Sequence, residues 1–156
     1  MGFDAGIFKS FDQDWALVTA GTIDHFNTMT ISWGGLGTLW GLPVATVYVR
    51  QSRYTHDFLE KNDLFTVAFF EEAYRKDLNV LGSRSGRDGN KLALTSLTPK
   101  ALDKAVTFEQ ASQTILCRKM YRQDMDPAAI PQAVFSKFYE KESLHTIYIG
   151  EVLQVL

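Results

Sequence analysis

The segment LFTVAFF, residues 64–70, has apolar side chains on both faces of the strand that it predicts. Side chains alternate along a strand, so the odd-numbered residues of this segment face one way and the even-numbered residues the other. A half-buried antiparallel strand would instead alternate apolar with polar residues. We therefore expect a small closed barrel whose outside is covered by helices or by a second chain.

Strand-like segments dominate the rest of the chain. Further strands are predicted at residues 15–21, 28–33, 43–49, 113–121 and 145–156, where Val, Ile, Thr and aromatic residues are frequent. Helices are predicted at residues 53–61, 72–81 and 131–141, with Gly82 ending the second. Strands and helices do not alternate regularly, which argues against a doubly wound parallel sheet. The predicted fold is mainly β, with peripheral helices.

Length and charge exclude several classes of protein. The 156 residues contain no repeat or linker, so we predict a single domain over residues 1–156. Lys and Arg number 16 against 18 Asp and Glu, giving a net charge of -2 that argues against binding to nucleic acid or to a membrane surface. The chain has no apolar run long enough for a membrane span and no apolar segment typical of a signal peptide, which favours a cytoplasmic location.

Two cations and two hydroxyls lie where the predicted strand 43–49 passes into the helix 53–61. They are Arg50, Ser52, Arg53 and Thr55. A helix N-terminus presents free backbone N–H groups, so this cluster suits a phosphate. Alternatively, Ser52 or Thr55 caps the helix and the arginines are solvated.

Two more segments are rich in groups that could contact a ligand. The segment GSRSGRDGNK, residues 82–91, has no apolar residue and predicts an irregular surface loop, either ligand-binding or simply solvated. In FNTMTISWGGLGTLWG, residues 26–41, Asn27 and Thr28 open a strand, Trp33 closes it, and a glycine-rich turn follows. The backbone at such a strand entrance can bind a heteroaromatic ring edge, whereas Trp33 and Trp40 would otherwise be core residues.

The remaining reactive residue types give little support to other chemistry. Three scattered histidines, His25, His56 and His145, form no metal-ligand motif, so no metal site is expected. The single cysteine, Cys117, can form no internal disulfide and lies in a strand-like segment, which predicts a core residue rather than a nucleophile.

Taken in order, the segments resemble the flavin reductase-like family, which has the FMN-binding split β-barrel fold of antiparallel Greek-key type and includes flavoredoxins. The family patterns N-[TAV]-M-T-x-S-W, R-x-x-[RT]-[YT]-T and S-G-R-D-x-x-K match residues 27–33, 50–55 and 85–91. The resemblance spans about residues 15–156. It implies a homodimer with FMN in a groove between the subunits.

The resemblance also implies a role for individual residues. The isoalloxazine ring would be lined by Asn27, Thr28, Met29 and Thr30 and flanked by Ser32 and Trp33. The phosphate would be held by Arg50, Ser52 and Thr55. The ribityl chain and ring edge would be closed over by Ser83, Ser85, Gly86, Arg87, Asp88 and Lys91. His145 would lie near the face where a nicotinamide stacks, as the candidate catalytic residue.

The implied activity is that of an NAD(P)H:flavin oxidoreductase, with NADH or NADPH as the transient donor of a hydride to FMN. The glycine-rich turn with Gly34, Gly35 and Gly37 is closer to the flavoredoxin branch. The alternative is therefore an FMN electron carrier without its own nicotinamide site, which passes electrons to an accepting protein. A third alternative is a split-barrel protein that binds haem or another ligand.

Overall fold

The computed structural model describes residues 4–156, so the first three residues of the predicted domain lie outside it. Seven strands form one antiparallel sheet, and two more form a separate hairpin. The main sheet contains β1 (Ala16–Thr22), β2 (His25–Ile31), β3 (Gly34–Leu39), β4 (Leu42–Arg50), β5 (Leu64–Phe69), β8 (Gln113–Asp124) and β9 (His145–Val155). The hairpin contains β6 (Pro99–Leu102) and β7 (Ala105–Phe108).

The strand order β2-β1-β5-β8-β9-β4-β3 places β4 beside the last strand rather than beside β5, its successor in sequence. This arrangement pairs Arg50 of β4 with His145 of β9. Within the described chain, every main-sheet strand except β3 contributes residues to one apolar cluster. The sheet therefore curls around that cluster, and the mainly antiparallel fold predicted from the sequence is confirmed.

Burial of β5 on both faces is also confirmed. Val67, which is fully buried, lies in the cluster inside the curled sheet, whereas the equally buried Ala68 lies in a second cluster outside it. The outer cluster includes Leu78 of helix α3 (Arg75–Ser83) and Phe108 of β7. The outer face of β5 is thus covered by elements of the same chain.

Four helices lie around the sheet. They are α1 (Gly6–Asp12), α2 (Tyr54–Lys61), α3 and α4 (Gln132–Phe138). The three predicted helices correspond to α2, α3 and α4, while α1 and the β6–β7 hairpin were not predicted. Helix α4 contributes no buried residue, and Val134 on it is 41% exposed.

The glycine-rich segment predicted as a turn instead forms β3, which pairs with β4 from Gly34 opposite Val47. Glycine is uncommon in strands, so the sequence favoured a turn. Here it permits a close approach, because a Cβ at Gly34 would lie 2.6 Å from the ring of Phe11 in α1. The absence of a side chain lets α1 pack on the edge strand.

The prediction that Gly82 ends the second helix is wrong, since α3 continues to Ser83. A Cβ at Gly82 would lie 3.1 Å from the Cβ of Thr30 on β2. A side chain at this position would press on Thr30, so glycine favours the close packing of helix on strand, and the helix ends one residue later.

Cys117 is fully buried in the inner cluster, as predicted for a core residue. Burial raises the pKa of its thiol to about 12, so the group stays protonated and unreactive at neutral pH. In residues 4–156, no helix has both the length and the apolar composition needed to cross a membrane.

Candidate functional site

A buried hydrogen bond joins the first two of the three motif segments. The Asn27 amide on β2 donates to the Thr55 hydroxyl on α2 over 2.8 Å. Thr55 is fully buried, and Asn27 is 8% exposed. The Thr55 hydroxyl therefore fixes Asn27 and is not exposed to a ligand in this structure, although the resemblance assigned it to the phosphate.

The third segment packs against the same place. A Cβ at Gly86 would lie 2.3 Å from the Asn27 amide oxygen, so only glycine fits there. Next to it, the Arg87 guanidinium donates to the Ser52 carbonyl and pairs with Asp57, both over 2.8 Å. The loop 82–91 is thus held to the start of α2, and the charge of Arg87 is compensated by a carboxylate.

Arg50, which the resemblance assigned to the phosphate, makes contacts with the segment between α4 and β9. Its guanidinium donates to the carbonyl oxygens of Ser143, over 2.7 Å, and Phe138, over 3.2 Å. It also pairs with Glu142 over 3.0 Å. Ser52, the second residue assigned to the phosphate, shares a 3.0 Å hydrogen bond with the Ser143 hydroxyl. Arg50 and Ser52 therefore fasten the segment between α4 and β9 in this structure.

Two other cations lie close together at the end of α3. The Lys91 ammonium donates to the carbonyl oxygens of Leu81, over 3.0 Å, and Arg84, over 3.1 Å. The Arg53 guanidinium donates to those of Gly82, over 3.0 Å, and Leu81, over 3.4 Å. Among the described residues, neither cation has a carboxylate partner. We call Arg53 and Lys91 the cation pair.

Burial and repulsion from neighbouring arginines make this pair electrostatically unfavourable. Burial, followed by the charge of Arg53, lowers the pKa of Lys91 to about 8. Burial, followed by the charge of Arg50, lowers the pKa of the Arg53 guanidinium. A bound anion would remove part of this cost, because it supplies the missing opposite charge.

A pocket of about 180 Å³ adjoins Arg53. It is lined by Met29, Thr30, Ile31, Ser32, Trp33, Tyr48, Arg50, Arg53 and His145, and we call it the Trp33 pocket. Trp33 is 37% exposed and lies 5.1 Å from the His145 ring. Trp33 and the still more exposed Trp40 are therefore not core residues, so that alternative is wrong.

A larger groove of about 400 Å³ adjoins Lys91. It is lined by Asp24, His25, Phe26, Asn27, Thr28, Tyr54, Phe58, Gly86, Gly89, Asn90, Lys91, Leu92 and Pro99, and we call it the Lys91 groove. Ser83, Ser85 and Asp88 line a further depression that also includes Lys91. Arg53 lines the pocket and Lys91 lines the groove, and both cations donate to the Leu81 carbonyl.

Most of the predicted site residues line the pocket, the groove or the depression beside the groove. Ser52, Thr55 and Arg87 line neither the pocket nor the groove. The sequence did not predict that Tyr48 lines the pocket or that Tyr54 lines the groove. It also did not predict the hydrogen bonds of Arg53 to α3. Arg53 was visible in the sequence as part of the cation cluster, but only the fold shows that no acidic residue within 4–156 pairs with it.

Comparison with known proteins identifies the family. The model of the flavin reductase like domain matches residues 8–156, so the chain belongs to the flavin reductase-like family. Comparison with curated proteins gave no match.

Solved structures with the same fold include flavoredoxins and a reductase. The flavoredoxin of Desulfovibrio vulgaris (Miyazaki F) is 21% identical, with a TM-score of 0.71 over 100% of this chain and 76% of that one. The flavoredoxin of Methanosarcina acetivorans is 20% identical, with a TM-score of 0.69 over 92% of this chain and 67% of that one. An NADH:FAD oxidoreductase of Streptomyces globisporus, in complex with NAD and FAD fragments, is 17% identical, with a TM-score of 0.69 over 96% and 78%. The predicted flavin reductase-like, FMN-binding barrel fold is confirmed.

Proposed function

We propose that this protein binds FMN and transfers a hydride to it from NADH or NADPH. The observation that carries the proposal is the cation pair, Arg53 and Lys91, which has no carboxylate partner in the described chain and adjoins both the pocket and the groove. A phosphate monoester carries about two negative charges at neutral pH and would compensate both cations. The donor set therefore suits the phosphate of FMN.

The resemblance assigned the phosphate to Arg50, Ser52 and Thr55, and we propose a different set. Arg50 is compensated by Glu142, and Thr55 is fully buried. We assign the phosphate to Arg53 and Lys91 instead, with the serines of the loop 82–91 as further donors.

Bound FMN would supply the redox chemistry by accepting a hydride from the reduced nicotinamide. The task of the protein is to place the ring and exclude water. The Trp33 pocket would orient the ring against the end of β2, and backbone N–H groups of residues 29–32 would stabilise the negative charge that develops on reduction.

The alternative is an FMN electron carrier of the flavoredoxin type, without its own nicotinamide site. One observation favours it: the Trp33 pocket has a volume of about 180 Å³, below the roughly 300–1,000 Å³ typical of small-molecule sites. A flavin ring and a nicotinamide together need more room than this pocket offers within one subunit. A carrier would need only the flavin ring there, together with a protein that accepts its electrons.

Anaerobic reduction separates the two functions. Protein loaded with FMN is expected to lose its visible flavin absorbance on addition of NADH or NADPH at a rate far above that of free FMN. If the absorbance is lost only with dithionite or with an electron-donating protein, the protein is a carrier. A preparation that fails to take up FMN would refute both functions.

We further propose a homodimer with FMN at the subunit interface. Apolar side chains at the surface support it: Trp40 is 65% exposed, Leu36 on β3 is 46% exposed, and α4 has no buried residue. A second copy would cover such surfaces. Sedimentation velocity is expected to give a dimer, and a stable monomer with bound flavin would contradict the proposal.

The use of NADH or NADPH also implies a cytoplasmic location.

A further inference from the structure

Tyr139 follows α4 and belongs to none of the motif segments, but it contacts the candidate catalytic residue. Its hydroxyl lies 2.8 Å from Nδ1 of His145 and 3.4 Å from the sulfur of Met125. Tyr139 is 8% exposed and His145 is 6% exposed. The hydrogen bond between them is therefore largely shielded from water.

The positions of the hydrogen atoms follow from the strengths of the acceptors. Burial, followed by the charge of Arg50, lowers the pKa of His145 to about 4, so its ring is neutral at physiological pH and carries one proton. If Nδ1 carried it, the Tyr139 hydroxyl would have to donate to Met125, and a thioether is a weak acceptor. If the hydroxyl donates to Nδ1 instead, the ring proton lies on Nε2. The second arrangement makes the stronger hydrogen bond.

Nε2 of His145, a residue that lines the Trp33 pocket, is the ring nitrogen that Tyr139 does not contact. It has no hydrogen-bond partner among the described residues, and no described side-chain nitrogen or oxygen is both buried and unpartnered. Nε2 is therefore accessible to solvent, and His145 lines the pocket beside the Trp33 ring. A hydrogen-bond donor at Nε2 could therefore contact a ligand bound in the Trp33 pocket.

We propose that Tyr139 is a positioning residue that fixes His145 with its proton on Nε2, so that the Trp33 pocket presents an uncharged donor to a carbonyl oxygen of the ligand. This inference rests on the proposed function, in which the carbonyl belongs to the carboxamide of the nicotinamide donor. Such a donor recognises a carbonyl without transferring a proton to it. His145 would then orient the hydride donor rather than act as a general acid.

Arg50 supports the same arrangement. Its guanidinium lies 5.4 Å from the centre of the Tyr139 ring and donates to the Ser143 carbonyl over 2.7 Å. Since Tyr139 and Ser143 bracket the segment that leads into His145, Arg50 holds this segment in place. The cation near the imidazole also disfavours a second positive charge there. This role of Arg50 is independent of any phosphate.

The protonation of His145 can be measured without cofactor. In protein labelled with ¹⁵N-histidine, NMR is expected to show His145 protonated at Nε2 and unprotonated at Nδ1 at neutral pH. The variants His25→Gln and His56→Gln assign the signals. A proton on Nδ1 of His145 in the wild-type protein would overturn the proposal, and this result requires no substitution that could impair folding.

Variants then test whether the tyrosine matters. Tyr139→Phe is expected to change the Nδ1 signal and to raise KM for NADH or NADPH about fivefold, the effect of one lost hydrogen bond, with FMN affinity unchanged. Tyr74→Phe is the matched control, because the Tyr74 hydroxyl makes no hydrogen bond with any of residues 4–156. His145→Gln, whose amide can reach the position of Nε2, is expected to retain more activity than His145→Asn. Unchanged signals and KM in Tyr139→Phe would overturn the proposal.

The failure of this inference can be distinguished from the failure of the proposed function. If His145 is protonated at Nε2 but neither nicotinamide nucleotide reduces the bound flavin, reductase activity is refuted and the assignment of Tyr139 is supported. If either nucleotide reduces the flavin but Nδ1 carries the proton, reductase activity stands and the role of Tyr139 is refuted.

Discussion

The two ends of helix α2 differ in whether their charged groups have partners of opposite charge. In its C-terminal half, Glu60 accepts hydrogen bonds from Arg122, over 2.6 Å, and from the fully buried Tyr148, over 3.1 Å. At its N-terminal end, Arg53 lies with Lys91 against the end of α3, and neither has a carboxylate partner in residues 4–156. The Glu60 carboxylate therefore has a cationic partner, whereas the cation pair has no anionic partner among the described residues.

The network around Glu60 remains satisfied as it extends across the sheet. Arg122 also pairs with Asp124 over 2.9 Å, and Asp124 accepts a hydrogen bond from Thr146 over 2.7 Å, which holds the pKa of this carboxyl below its usual range. Groups that satisfy one another have little left with which to bind a ligand. We infer that this network holds α2 on the sheet, whereas the cation pair is maintained for binding at a cost in stability.

The largest expected effect is on FMN affinity when the cation pair is changed. Arg53→Met and Lys91→Met should each weaken FMN binding about 30-fold, because each removes a charge-assisted hydrogen bond to the phosphate. Riboflavin, which lacks the phosphate, should bind as before. Arg122→Met is the matched control and should leave the ratio of FMN to riboflavin affinity unchanged. Titration of flavin fluorescence measures all four proteins.

Arg50→Ala separates this assignment from the one implied by the resemblance. We expect it to retain selectivity for FMN over riboflavin, because Arg50 holds the segment 138–143. If instead Arg50→Ala loses that selectivity and Arg53→Met keeps it, the phosphate belongs to Arg50 and the contrast between the two ends of α2 has no functional meaning.

A smaller effect is expected from Gly86→Ala. The added methyl group would lie 2.3 Å from the Asn27 amide oxygen, so the loop 82–91 must move away from β2. Overpacking of this kind costs about 1–3 kcal/mol, and we expect FMN affinity to fall about tenfold. Gly35→Ala is the control, because a Cβ there has no neighbour within 4 Å. Equal affinity in both variants would show that the docked loop does not contribute to binding.

The third prediction concerns the satisfied region. Tyr148→Phe should lower the free energy of unfolding by about 2 kcal/mol, since it removes a buried hydrogen bond to a charged acceptor. FMN affinity should not change. Thermal denaturation and flavin titration measure the two quantities. A loss of affinity without a loss of stability would assign the Glu60 network to the binding site.

The sequence predicted the fold well where its pattern depends on burial. Apolar residues on both faces of 64–70 required two apolar surroundings, and the structure provides an inner and an outer cluster. The sequence failed where glycine serves packing between elements. The sequence predicted a turn at Gly34 and a helix end at Gly82. In the structure each glycine leaves room for a side chain of another element, Phe11 beside Gly34 and Thr30 beside Gly82. No local pattern identifies such a partner.

For the site, the order of the motifs predicted which segments come together. It did not predict which side chains would form hydrogen bonds or ion pairs within the protein. The contacts of Asn27 with Thr55 and of Gly86 with Asn27 join the three segments. Arg50 and Arg53 lie three residues apart in one polar cluster of the sequence. Only tertiary contacts show that Arg50 pairs with Glu142 and that Arg53 pairs with no acidic residue in the described part of the chain. The hydrogen bond of Tyr139 to His145 could not be predicted, because no motif includes Tyr139.

The smallest expected effect is the pH dependence of stability caused by Lys91. Its pKa is about 8 in the folded protein and near 10.5 when unfolded, so the unfolded chain binds more protons between these values. Stability should therefore rise with pH in this window, by about 1 kcal/mol between pH 8 and 9, as the cost of burying the charge disappears. Lys91→Met should remove this part of the rise, whereas the exposed Lys137→Met should keep it. Saturating FMN should also remove it, because a phosphate beside Lys91 stabilises the charged form. Parallel stability curves for wild-type and Lys91→Met proteins without FMN would show that the buried ammonium carries no such cost, and the difference between the two ends of α2 would then lie in geometry alone.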